Sequence, residues 1–230
     1  MTPIVLIPGL VCTAELFGPQ LPALWTRGPV TVASHLGGDS MAAIAEDILS
    51  NAPPRFALAG LSMGGYIAFE ILRRAPERVE RLALLDTSAR PDTPEQTEKR
   101  RGLLSRLDSE AFEAVVEPVL RGLPAPARRD DDALFQINLR MAQAVGVDGF
   151  RHQVRAIIGR ADSRPDLSAI TIPTLVLVGD QDALTPPDIA REMAEAIPNA
   201  RLSIIPDSGH VSTLEQPEAV TAALLSWLDA

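Results

Sequence analysis

A serine set between glycines constrains this chain more than any other feature: Phe56-Ala57-Leu58-Ala59-Gly60-Leu61-Ser62-Met63-Gly64-Gly65. The residues before Gly60 are apolar and strand-like, and Tyr66-Ile67-Ala68-Phe69-Glu70-Ile71-Leu72 suits a buried helix. G-x-S-x-G between a strand and a helix forces the serine into a sharp turn that lifts its hydroxyl clear of the backbone. Gly60 and Gly64 remove the Cβ atoms that would collide where strand and helix cross. A helix starting near Met63 aims its free N–H groups and its positive dipole end at whatever the hydroxyl attacks. Ser62 is thus placed as a nucleophile, provided a base reaches it.

The chain has three histidines. His210, in Pro206-Asp207-Ser208-Gly209-His210, follows the apolar run Leu202-Ser203-Ile204-Ile205 and sits in a loop at a strand end, where catalytic groups gather. His35 reads as a solvated loop residue after the strand Val30–Ala33. His152 reads as a helical residue outside the sheet, and is assigned to the rim of the substrate pocket. The base needs a carboxylate to fix its tautomer and stabilise the imidazolium. Thr174-Leu175-Val176-Leu177-Val178-Gly179-Asp180-Gln181-Asp182 places two aspartates just past a buried strand. Asp182 is preferred, because its spacing lets the loop fold back toward a histidine on the neighbouring strand. Asp180 is the near alternative, suited to holding the loop. Asp86, after Leu84-Leu85, is a third candidate that reads as a turn or capping carboxylate.

A tetrahedral intermediate needs an anion site. One donor is the N–H of Met63, directly after the nucleophile. The other is the N–H of Leu10, in Ile7-Pro8-Gly9-Leu10, where Gly9 lets the backbone turn. Cys12, two residues on, is assigned to the pocket wall.

The order Ser62, Asp182, His210, with Pro8-Gly9-Leu10 after the first strand, resembles the α/β-hydrolase superfamily. The blocks G-L-S-M-G-G, G-D-Q-D-A-L-T-P and D-S-G-H followed by E-Q-P-E carry the likeness. It covers nearly the whole chain outside residues 90–166. The chain looks most like the capped serine esterases and lactonase-like members. That resemblance implies a mostly parallel α/β sheet flanked by helices, trimmed at its N-terminus to six strands and built from residues 1–89 and 167–230. Residues 90–166 would form a helical cap. It further implies hydrolysis of a small, moderately apolar carboxylic ester through an acyl-enzyme, with no cofactor or metal. Enol-lactone opening, C–C bond cleavage on the same triad, and a hydrolase-fold receptor with little turnover are the alternatives. The chain departs from the pattern twice. Pro8-Gly9 stands where many relatives carry His-Gly, and Val30 to Ser40 lacks the usual acidic-arginine-glycine pattern.

The rest of the chain fits one domain of 230 residues with alternating strands and helices. A helix is expected over about Ala14–Leu24, and others near Met41–Ser50, Pro187–Ala196 and Pro217–Leu228. In the middle section Phe112, Val115, Val116, Val119 and Leu120 share one helix face. Leu134, Ile137, Met141, Ala142 and Val145 form a second stripe, and Gln153 to Ile158 a third helix. Asn138 and Met141 on the second stripe complete the assigned pocket, with Asn138 as a substrate-orienting amide. Arg128-Arg129-Asp130-Asp131-Asp132 reads as a solvated helix start. A net charge of −9 disfavours nucleic acid or an anionic membrane as partner and mildly disfavours anionic substrates. One cysteine excludes an internal disulfide and a cysteine-based metal cluster. Without a leader-like or spanning apolar run, a cytoplasmic location is expected, and the oligomeric state is open.

Overall fold

The computed structural model describes residues 1–230. Strands β1 (Ile4–Ile7), β2 (Val30–Val32), β3 (Phe56–Leu61), β4 (Val79–Leu85), β5 (Thr174–Gly179) and β6 (Ala200–Ile205) form one sheet in the order β2-β1-β3-β4-β5-β6. Every pairing is parallel. β1, β3 and β5 are buried at every position, as a parallel sheet covered on both faces requires. The two-residue period sends Ile4, Leu6, Ala57, Ala59 and Leu175 to one face, and Val5, Ile7, Leu58, Val176 and Val178 to the other. The first face packs on α1 (Leu21–Trp25) and α9 (Pro217–Asp229) through Leu24, Val220, Leu224 and Trp227. The second packs on α2 (Met41–Asn51), α3 (Met63–Arg74) and α7 (Pro187–Ala196) through Ile44, Ile67 and Met193.

The strand order places the site. The chain leaves β1 toward β2 in one direction and leaves β3 toward β4 in the other. Right-handed crossovers then put α1 and α3 on opposite faces and open a crevice past the ends of β1 and β3. Gly9-Leu10 and Ser62 both begin at that crevice.

Three helices lie between β4 and β5: α4 (Pro94–Arg106), α5 (Phe112–Arg121) and α6 (Asp132–Ile158). α5 and α6 carry the two expected apolar stripes into the core. α6 joins the second and third expected helices across Gly146, whose φ of 71° breaks the helix geometry. Pro118 lies inside α5 and cannot donate to the Ala114 carbonyl; Arg106 Nη2 donates to it instead, at 3.1 Å. Asp131 caps α6 by accepting from the Leu134 N–H at 3.0 Å. α4 has no apolar stripe and no buried residue, so periodicity gives no sign of it. The helix expected over Ala14–Leu24 is divided: Thr13 caps a 3₁₀ turn at Ala14–Phe17, and α1 starts only at Leu21. A short helix, α8 (Ser212–Glu215), follows the histidine loop. No helix is long and apolar enough to cross a membrane.

Candidate active site

Ser62 sits between β3 and α3 with φ 54° and ψ −113°, a conformation that a side chain normally avoids. Its backbone is pinned on both sides. The Ser62 N–H donates to the Leu85 carbonyl at 2.9 Å, and its own carbonyl accepts from the Gly65 N–H at 2.9 Å and the Thr87 hydroxyl at 2.7 Å. The turn closes only because glycine is present: a Cβ on Gly60 would strike the Gly64 carbonyl, and one on Gly64 would strike the Ile7 carbonyl.

The structure brings Ser62, His210 and Asp182 into one chain of hydrogen bonds. His210 Nε2 lies 2.8 Å from Ser62 Oγ, and its Nδ1 lies 2.7 Å from Asp182 Oδ2. With Asp182 ionised, Nδ1–H donates to the carboxylate and Nε2 is left to accept the serine proton. Burial pushes the Asp182 carboxyl up, but the imidazole and Thr185 outweigh it and hold its pKa down at about 2. The Leu184 and Thr185 N–H groups reach Oδ1 at 2.8 and 3.0 Å, and the Thr185 hydroxyl reaches Oδ2 at 2.7 Å. Burial by itself would push the imidazole down; Asp182 overcomes it, with Asp86 and Glu215 adding to the pull, so the His210 pKa is raised above the ordinary value. Asp180 accepts from the Ser208 N–H at 3.2 Å, tying the two loops together without a hydrogen bond to His210.

Two further carboxyls brace the histidine loop. Asp86 is fully buried, with Oδ1 accepting from the Gly179 N–H at 3.0 Å and Oδ2 from the Ser212 hydroxyl at 2.6 Å and N–H at 3.2 Å. This overturns its reading as a local turn or capping carboxylate: it joins the ends of β4 and β5 to the start of α8, two residues past His210. Burial, with the Asp182 charge, pushes its pKa up to about 7 against the opposing effect of His210 and its hydrogen bonds. Glu215 Oε1 accepts from the Gly209 and Val211 N–H groups at 2.9 and 3.4 Å, and Oε2 from the Ala125 N–H at 2.8 Å. The His210 N–H in turn donates to the Leu123 carbonyl at 2.8 Å. The histidine loop is therefore seated on Leu123–Ala125 of the helical insert.

The loop after β1 lies against the nucleophile, with the position of a Cβ on Gly9 only 3.4 Å from Ser62 Cβ. Neither the Leu10 N–H nor the Met63 N–H has a hydrogen-bond acceptor within the protein. The Gly9 carbonyl accepts from the Cys12 N–H at 3.1 Å and from His35 Nε2 at 2.8 Å. That carbonyl and the Leu10 N–H belong to one planar peptide and point in opposite directions, so His35 fixes the direction of the Leu10 N–H. His35 is 2% exposed, which overturns its reading as a solvated residue; burial pushes its pKa down to about 4, leaving a neutral ring that donates through Nε2. From the other side Gln153 of α6, wholly buried, accepts from the Val11 N–H at 2.8 Å. Neither contact is legible from spacing, since both partners lie far from the loop in sequence.

A cavity of about 410 Å³ opens over Ser62 and His210. Cys12 lines it, with burial pushing the thiol up to about 12. The other three assigned pocket residues do not line it. Asn138 and Met141 face inward on α6 among core side chains, and the Asn138 amide donates back to the Leu134 carbonyl at 3.0 Å. His152 is half-buried on α6 beside Gln153 and outside the cavity wall. The apolar stripe of α6 is spent on the core, and the wall is supplied instead by α4 and the segments flanking it, through Asp92, Gln96, Lys99, Arg100 and Leu103.

The family described as alpha/beta hydrolase fold matches residues 34–217. Among solved structures, a thermophilic esterase from Thermogutta terrifontis, with malate bound, superposes with a TM-score of 0.90 at 31% identity over 100% of this chain and 90% of that one. The enol-lactonase from Burkholderia xenovorans LB400 gives 0.87 at 27% identity, over 100% and 92%. A pimeloyl-[acyl-carrier protein] methyl ester esterase from Pectobacterium atrosepticum is 29% identical over 81% of this chain and 75% of its own. With its six parallel strands, its glycine-bounded serine elbow and that match, the chain belongs to the α/β-hydrolase family.

Proposed function

We propose that this protein is a serine hydrolase that cleaves a small, moderately apolar carboxylic ester through an acyl-enzyme intermediate. The observation that carries the reading is the continuous run of contacts from Ser62 Oγ through His210 to Asp182, at 2.8 and 2.7 Å. His210 Nε2 takes the Ser62 proton as Oγ attacks the carbonyl carbon. The Leu10 and Met63 N–H groups, free of protein acceptors, receive the oxyanion. A donor in such a site is worth about 10²–10³ in kcat. His210 then passes its proton to the departing alkoxide. Water attacks the acyl-enzyme, giving its proton to His210, and the carboxylic acid leaves as Ser62 is restored. Asp182 stays ionised throughout and holds the ring. Residues 90–166 act as the cap, roofing the cavity with α4 and seating the histidine loop. The esterase names among the relatives support the ester class.

The similarity to an enol-lactonase over the whole chain favours a second reading on the same machinery, the opening of a cyclic ester. There the leaving oxygen stays tethered to the acyl group until water releases it. The test is labelling by a fluorophosphonate followed by multiple-turnover assays on a panel of short esters and lactones. Ser62→Ala is expected to lose both labelling and turnover, with kcat falling by about 10⁶. Retention of turnover in that variant would remove Ser62 from the mechanism. Labelling of the wild type without turnover on any ester or lactone would favour a receptor.

A further inference from the structure

We infer that the cavity selects esters carrying a second, anionic group, a carboxylate, received by Arg160 and Arg100 with Lys99 at the cavity mouth. This rests on the ester hydrolysis proposed above and names its substrate class. The chain carries a net charge of −9, yet the wall shared with Ser62 holds Arg90, Lys99, Arg100 and Arg160 against a single carboxylate, Asp92. Arg90 is already engaged by Glu192 at 2.8 Å. The other three cations are not neutralised. The Asp92 side chain is 2% exposed and is shared between Arg160 Nη1 at 2.6 Å and Arg100 Nε at 2.8 Å. Two guanidinium groups on one carboxylate leave a positive charge at the wall. Lys99 is exposed and makes no ion pair.

The donor count points the same way. The Arg160 side chain is only 7% exposed. Its Nε donates to the Arg90 carbonyl at 3.1 Å and its Nη1 also reaches the Ile157 carbonyl at 3.1 Å, but its Nη2 has no partner in the protein. Arg100 uses Nε alone, leaving both terminal nitrogens open. The open Nη2 is not sealed from solvent, so an acceptor carried by the ligand can reach it. The two open terminal nitrogens of Arg100 form a planar pair that fits an oxyanion such as a carboxylate bidentately, with Arg160 Nη2 as a further donor. Arg160 is also held in place: its guanidinium carbon lies 4.3 Å from the centre of the Tyr66 ring, and Tyr66 is one turn along α3 from Ser62. The cation is thus registered to the helix that carries the nucleophile. The acidic exterior does not cancel it, because charges separated by more than about 8–10 Å are largely screened at physiological salt. The mild bias against anionic substrates drawn from net charge is reversed inside the cavity.

The matched probes are monomethyl adipate and methyl hexanoate, which share the methyl ester and the four-carbon spacer and differ in a carboxylate for a methyl. In the wild type kcat/KM is expected to be about tenfold or more higher for monomethyl adipate, the scale of a charge-assisted hydrogen bond. That ratio is expected to shrink as salt rises from about 0.05 to about 0.5 M. It is expected to drop about tenfold in Arg160→Gln and in Arg100→Gln, and about two- to threefold in Lys99→Gln, whose exposed side chain makes no contact the fold needs. Calorimetric binding of adipate against 1,6-hexanediol reads the anion site without chemistry. A wild type that hydrolyses methyl hexanoate as well as monomethyl adipate, or a ratio that none of the three variants moves, overturns the anion site and leaves the hydrolase standing. Adipate binding that is lost in the variants, with neither ester cleaved, supports the anion site and overturns the hydrolase. Absence of both binding and cleavage overturns both.

Discussion

Around His210 the protein leaves nothing open: both ring nitrogens and both oxygens of Asp182 are engaged, and three further N–H groups of the loop are held by Glu215 and Leu123. On the wall formed by α4 and the end of α6 the reverse holds. Arg160, Arg100 and Lys99 keep donors to spare, and the single carboxylate there cannot satisfy them. Both regions line one cavity, but one is saturated and the other expectant. Groups that move a proton gain from being fixed before substrate arrives. Groups that select a substrate gain only if the substrate brings the missing acceptor.

The saturated side can be broken in graded steps. Asp182→Asn keeps the shape but gives His210 the wrong hydrogen-bond partner, and kcat is expected to fall by about 10⁴. A loss near tenfold would mean that another carboxyl, with Asp86 nearest in line, supports the ring. His35→Leu removes the donor that fixes the Gly9 carbonyl, while the Cys12 N–H still holds that oxygen. A drop of about ten- to a hundredfold in kcat with little change in KM is expected, part of the value of one oxyanion donor. A change confined to KM would show that the Leu10 N–H is not what His35 orients. Glu215→Ala strands three buried N–H groups, and chemical denaturation should show a loss of about 1–3 kcal/mol.

The smallest effect is in pH. In the proposed mechanism His210 must be neutral to take a proton, and its pKa is raised, so kcat/KM should rise with pH through a midpoint above the ordinary histidine value of about 6.5. Stability runs the other way. The charged His210 pair contributes fully below the ordinary value and is lost as pH climbs through the raised one. Asp86, raised from 3.8 to about 7, likewise contributes below its ordinary value and loses that contribution as pH approaches about 7. Asp182, lowered to about 2, loses its contribution only as pH falls toward that value. Melting temperature should therefore decline between about pH 5 and pH 8 while activity increases. Asp86→Asn removes one negative charge that favours the imidazolium, so the acid limb of the rate profile should move to lower pH. An unmoved limb would show that His210 does not sense Asp86.

The same contrast explains what could be read in advance. Strands, elbow and triad candidates come from local pattern: apolar runs with period two, glycines beside Ser62, and polar residues just past strand ends. Cys12 reads as a wall residue from its place two positions beyond the Leu10 donor, and it lines the cavity. The wall itself is not legible in the sequence, because α4 has no apolar stripe beyond the Leu103-Leu104 pair and its clearest signature is the capping box Thr93-Pro94-Glu95-Gln96. On sequence alone the α6 stripe reads as a roof that brings Asn138 and Met141 to the pocket, whereas in the fold it is turned into the core. His35 and Gln153 act at a distance on a loop that spacing cannot connect to them.

The seat under His210 limits how the proposed cap, residues 90–166, could be exchanged for another. The carbonyl of residue 123 and the amide of residue 125 are part of the foundation of the imidazole's own loop, so a transplant must reproduce that two-point latch or the ring drifts off the serine.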